Sequence, residues 1–194
     1  MGNIGYKLFK VYCSEERKGK LYPLYVNASC PVHINKWTDA VEGERTVNGK
    51  VKSRLGELAY RPGWHLNDVA PYEIHIGKKN ENGNICWLPE NLVWAEVEYS
   101  SDIDYQREAN NNGTNKKGIL IEKNAQLNHI PTHGCYRYKT SPNMYGSWII
   151  AGSIKVNRIL SDEEVIILCN KHGLSPLPRW NGKFNNEKYH LEIA

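Results

Sequence analysis

Eight residues, Leu92 to Tyr99, constrain this chain more than any other stretch. Val93, Ala95, Val97 and Tyr99 fall on one face of a strand, and Leu92, Trp94, Glu96 and Glu98 fall on the other. The uniformly apolar face predicts a central strand with Val93, Ala95 and Val97 buried. Most other periodic stretches are short and strand-like. Tyr6 to Tyr12 and Leu21 to Val26 read as a hairpin across the charged turn Ser14 to Lys20, with Pro23 suited to an edge or a bulge. Tyr136 to Lys139 alternates Tyr with basic residues, and Trp148 to Leu160 reads as a strand pair broken at Ala151-Gly152.

One helix stands out. Ser161 and Glu164 form a capping-box pattern, Leu160 and Val165 make the matching hydrophobic staple, and Gly173 follows as a stop. Pro31 to Lys50 reads as irregular, Lys78 to Asn91 as a polar loop around Asn82-Gly83, and Gln106 to Gly118 as a mobile surface loop. The expected fold is α+β, mainly antiparallel sheet with few helices and one capped helix near 161–172. Residues 1–173 form a single domain, and 174–194 an extended tail packed on it.

A chain of 194 residues is long enough to bury a core of its own. Its aromatic usage is skewed, with 12 Tyr and 6 Trp against 2 Phe, and Tyr and Trp serve where a ring must also meet water or a ligand. The net charge of +4 allows an anionic partner but lacks the dense basic stripe of most nucleic-acid binders. Five scattered cysteines without a Cys-x-x-Cys predict no disulfide framework and a reducing, cytoplasmic setting. No apolar run reaches the length of a membrane span, and Met1 to Tyr6 has no signal-peptide core.

Three stretches concentrate the unusual residues. Arg54, Tyr60, Arg61, Trp64 and His65 crowd into a segment shaped by Gly56, Pro62 and Gly63, where small and rigid residues let a backbone approach a ligand. Glu96 and Glu98 project from the same face of their strand, roughly 7 Å apart, near the separation of acid/base pairs. Trp94 shares that face and would raise a neighbouring carboxylate's pKa, which makes Glu96 or Glu98 the candidate catalyst with His65 as its partner. Arg137 and Lys139, interleaved with Tyr136 and Tyr138, suit a ligand carrying phosphate and base. Each stretch also has a plain reading: an ordered turn, a solvent-facing strand paired across the sheet, and a half-buried strand with snorkelling cations. His129, His133 and Cys135 tempt as metal ligands, but Pro131 prevents a helix from presenting both histidines, and no metal is expected. Gly-x-Ser-x-Gly, Gly-x-Gly-x-x-Gly and Walker patterns are missing.

Lys50 to His65, Val93 to Glu98 and Trp148 to Glu164 together resemble a family of uncharacterised phage and mobile-element proteins, a resemblance that brings no activity with it. A fainter similarity is to ADP-ribosyltransferase-type domains. Leu21-Tyr-Pro-Leu-Tyr25 is similar to their NAD-gripping strand, Gly63-Trp-His-Leu66 to their glycine-aromatic segment, and Tyr145 to Leu160 to their late strands. That similarity implies NAD as a substrate and assigns no other cofactor. Tyr145-Gly-Ser-Trp148 lacks the family's catalytic Glu, which implies lost catalysis or a replacement such as Glu96 or Glu98. The leading expectation is an ADP-ribosyltransferase-like or other nucleotide-handling domain. Its rivals are a non-enzymatic module that binds nucleic acid or a host protein through a Tyr/Arg/Lys surface, and a structural protein. A deep pocket along residues 54–68 favours the first.

Overall fold

A computed structural model describes residues 3–193, and its main feature is one eight-stranded sheet. In chain order the strands are β1 (Asn3–Lys10), β2 (Trp37–Asp39), β3 (Val51–Ser53), β4 (Gly56–Leu58), β5 (Trp64–Asn67), β6 (Lys78–Lys79), β7 (Ile85–Trp87), β8 (Leu92–Tyr99), β9 (Ile103–Asp104), β10 (Gly134–Tyr138), β11 (Trp148–Ala151) and β12 (Ser153–Ile159). The helices are α1 (Gln106–Gly113), α2 (Asp162–Asn170) and α3 (Asn186–Tyr189), with a 3₁₀ turn at Glu122–Asn124. The sheet runs β2-β12-β8-β1-β5-β11-β10-β9, antiparallel except at the β9–β10 edge, so the fold is α+β. β3–β4 and β6–β7 are separate two-stranded ribbons.

β11 and β12 are one run of chain interrupted at Gly152, yet β11 pairs with β5 while β12 pairs with β8. The β12-β8-β1-β5-β11 ribbon therefore curls until its two ends meet at that corner. Gly152 makes the corner fit, because a Cβ there would collide with the Pro131 carbonyl. The inner face holds the largest core: Phe9, Leu66, Val93, Ala95, Val97, Ile149, Ile154 and Val156, capped by Tyr189 and Leu191 from the C-terminal segment. Val93, Ala95 and Val97 are buried, as the alternation of β8 requires.

The outer face is covered in two patches. Leu8, Leu92 and Trp94 pack against Leu160, Val165 and Cys169 of the α2 region, and Tyr136, Tyr138 and Ile150 pack beneath Ala109 of α1 and Leu127. The α2 capping box is formed as its sequence indicates: the Ser161 hydroxyl accepts from the Glu164 amide, and the Glu164 carboxylate accepts from the Ser161 amide.

Elsewhere local pattern gave way to tertiary contacts. Residues 106–113 are helix α1 rather than a mobile loop, because the Gln106 side chain hydrogen-bonds both the amide and the carbonyl of Arg137 and docks the segment on β10. Leu21 to Val26 is not a strand. Only Leu21 and Tyr22 make isolated bridges before the chain turns at Pro23. The expected irregular stretch contains β2, and the expected polar loop is the β6–β7 ribbon turning at Asn82-Gly83. The C-terminal segment is extended apart from α3. Arg179 anchors it with a two-pronged bond to Asp162 and further bonds to the carbonyls of Pro89 and Leu92.

Candidate functional site

β1 and β5 should be continuous neighbours, yet they pair at one position only, Tyr6 with Asn67. Beyond it the ladder stops, and the Lys7 ammonium reaches across to donate to the His65 carbonyl at 2.9 Å. Strands that part in mid-sheet leave a gap, and a cavity of about 600 Å³ opens there. It is lined by inner-face residues (Lys7, Trp64) and outer-face residues (Leu8, His65, Trp94) alike, which a continuous sheet would forbid. The volume lies within the range of small-molecule sites.

Gly63 sets the approach to this gap. Its φ of +135° is a conformation that L side chains rarely adopt, and a Cβ would meet Ile150 Cγ2 at 2.5 Å. Trp64 and His65 follow at once. The Trp64 indole donates to the Thr38 carbonyl at 2.9 Å, which ties the β2 edge over the opening. The remaining walls come from residues 23–27, the β3–β4 ribbon and residues 73–76. Val41 and Leu55 stand largely exposed at the rim.

The electrostatics of the cavity are unusual. Lys7 and Arg61 both line it, and neither forms an ion pair among the described residues. Burial pulls the Lys7 ammonium down to about 8. Burial, then the nearby Lys7 charge and Arg61, push His65 down to about 3, against a smaller opposing effect of the Gly63 carbonyl. His65 is therefore neutral. Its Nδ1 lies 3.3 Å from the Gly63 carbonyl, which only accepts, so Nδ1 carries the proton and Nε2 is an acceptor. Arg61 stacks 4.4 Å from the centre of the Tyr138 ring and donates to the Lys123 carbonyl, while its buried Nε has no partner. With Trp64, Trp94, Trp148 and Tyr138, the cavity offers flat aromatic walls beside the cations Lys7 and Arg61, the carboxylates Asp39 and Glu73 and the imidazoles of His65 and His75.

The structure brings together only part of what the sequence singled out. Arg61, Trp64, His65 and Tyr138 share the cavity. Tyr60 is buried outside it, under the Arg45 guanidinium at 3.8 Å. Arg54 lies in the exposed turn of the β3–β4 ribbon and donates to the Tyr12 hydroxyl. Arg137 points to the same face as Tyr99 and bonds its hydroxyl at 2.9 Å; Lys139 lies just beyond β10, half-buried. Glu96 and Glu98 do not line the cavity. A register shift between Val156 and Arg158 sets Arg158 opposite Glu96, and Lys155 stands opposite Glu98. The two carboxylates bind these cations at 3.3 and 2.5 Å. His129 pairs with Glu108, and among the described residues no three His, Cys, Asp or Glu side chains are grouped to hold a metal ion. No helix among them is long and apolar enough to cross a membrane.

The sequence reading passed over Lys7, although a signal existed. Period-two alternation puts Lys7 on the face of Phe9, so a lysine stands in an apolar row. Trp148 was also missed, and its pairing with Asn67 on β5 places it beside the gap. No family model, curated protein or solved structure matches this chain.

Proposed function

We propose that this domain is a nucleotide-handling module that binds, in the β1–β5 cavity, a ligand joining a flat ring to an anionic group. One observation carries the reading: Lys7 and Arg61, two cations without carboxylate partners among the described residues, line the same cavity as three tryptophans. Aromatic faces stack a base, cations hold phosphate, and the neutral His65 supplies an acceptor for a ring N–H. Burying unpaired positive charge weakens a fold, and an anionic ligand removes that cost. Two of the three segments of the ADP-ribosyltransferase resemblance border this cavity, at Pro23 to Tyr25 and Gly63 to His65, and the third reaches it only at Trp148. A Tyr/Arg/Lys recognition surface has less support, because Tyr136 and Tyr138 are buried beneath α1.

Calorimetric titration with AMP, ATP, NAD and a short single-stranded oligonucleotide tests the reading. Binding of at least one mononucleotide is expected, weakened roughly 10- to 100-fold by Arg61→Met, the worth of a lost charged hydrogen bond. Absence of heat with every nucleotide, on folded protein at low salt, would turn the assignment to a protein partner.

A further inference from the structure

Lys7 occupies the point where the sheet parts, and its surroundings are those of a reactive amine rather than of a surface cation. Its Nζ is held by the His65 carbonyl at 2.9 Å and lies 5.4 Å and 5.6 Å from the ring centres of Trp64 and Phe9. The other charged or titratable side chains lining the cavity include Arg61, His65, His75, Asp39 and Glu73, and none of them hydrogen-bonds to it. A lysine buried for structural reasons is ordinarily matched by a carboxylate. This one is fixed by a backbone carbonyl, with its nitrogen at a cavity large enough for a ligand.

We propose that Lys7 is an imine-forming amine, condensing with an aldehyde or ketone group on an aromatic, anionic ligand. The inference rests on the cavity being a ligand site. The Lys7 nitrogen adds to the carbonyl carbon, and the carbonyl oxygen takes up a proton to give a carbinolamine. That intermediate loses its hydroxyl as water when the nitrogen gives up its remaining proton, and a C=N bond forms with no change in oxidation state. Arg61 anchors the anionic group. Burial brings the ammonium down to about 8. Roughly a quarter is then free amine at pH 7.5, against roughly a thousandth for an exposed lysine.

The test treats the protein with one equivalent of pyridoxal 5′-phosphate, an aromatic aldehyde bearing phosphate. Borohydride then reduces any imine to a stable secondary amine, and peptide mass mapping locates it. Lys7 is expected to carry at least ~10-fold more label than any other lysine, as its larger amine fraction requires, and excess AMP should suppress that label. Lys7→Arg should lose the label and keep its circular dichroism spectrum. Label spread over exposed lysines with Lys7 unmodified would overturn the imine. If AMP nevertheless gives heat, the nucleotide reading survives that failure. Lys7 labelled without competition by any nucleotide would uphold the amine and sink the nucleotide.

Discussion

Two clusters of charge on this sheet obey opposite rules. On the outer face of β8 and β12, Glu96, Glu98, Lys155, Arg158 and Glu164 are all paired, and Arg158 is shared between Glu96 and Glu164 at 3.3 and 2.5 Å. On the far side of β1, the strand next to β8, Lys7 and Arg61 stand among aromatic rings beside a neutral histidine and, among the described residues, pair with no carboxylate. The first cluster closes the structure: it links β8 to β12 and, through Glu164, to the cap of α2. The second is held by backbone carbonyls and aromatic rings, in a cavity that Asp39 and Glu73 also line. Charge that is satisfied internally marks architecture, and charge left open in an aromatic cavity is what the proposed ligand site rests on.

The largest test of this contrast is pH dependence at Lys7. Its folded pKa of about 8 lies below the ordinary value of 10.5, so the unfolded chain binds the proton more tightly. The cost of charging the buried amine is absent above pH 10.5, accumulates as pH falls towards 8, and is complete below it. Lys7→Met removes the cost. Denaturant unfolding should therefore show the variant gaining on the native protein as pH falls from 10.5 towards 8, with the difference largest at pH 7. A constant difference across that range would mean that Lys7 is as well solvated as a surface lysine.

A matched pair of arginine substitutions gives the next effect. Arg158→Met leaves Glu96 and Glu164 facing each other without their shared cation and should destabilise by about 1 kcal/mol with nucleotide affinity intact. Arg61→Met should do the reverse, leaving stability unchanged or slightly raised while affinity falls. Thermal unfolding and calorimetry on both proteins check this together. If both variants lose stability alike, the two clusters are one kind of structure.

What the sequence disclosed follows the range of the interactions involved. β8, the Gly152 break and the α2 capping box were legible because alternation and capping act over a few residues. Gly63-Trp64-His65 stood out for the same reason, because a Pro-Gly pair beside two large rings is a local oddity, and the structure places all three residues at the cavity. Helix α1 was not, since its stability comes from Gln106 bonding to a strand 31 residues further along the chain. Nor was the cavity. It exists because β1 and β5 pair once and then part, and no local pattern records the failure of a ladder between strands about 60 residues apart. The Glu96/Glu98 face is paired across the sheet, the plain reading its alternation allowed, but which cation meets Glu96 is set by a register shift in β12 that alternation does not reveal.

The smallest expected effect bears on the reading that those glutamates most invited. Glu98 binds Lys155 at 2.5 Å, and both side chains are about a quarter exposed, at 26% and 29%. A pair open to that degree contributes little, because water and salt screen it and two long side chains lose freedom to hold it. Glu98→Gln keeps the shape and leaves Lys155 free to turn to solvent, so stability should change by less than about 0.5 kcal/mol. Nucleotide affinity and Lys7 labelling should not change at all, because Glu98 does not line the cavity. Guanidinium unfolding of the native protein and the Glu98→Gln variant in parallel, with the labelling assay beside it, measures both quantities. A tenfold loss of labelling at unchanged stability would show that this carboxylate acts on the ligand, and the division between a paired architectural face and an open recognition gap would then fail at its weakest point.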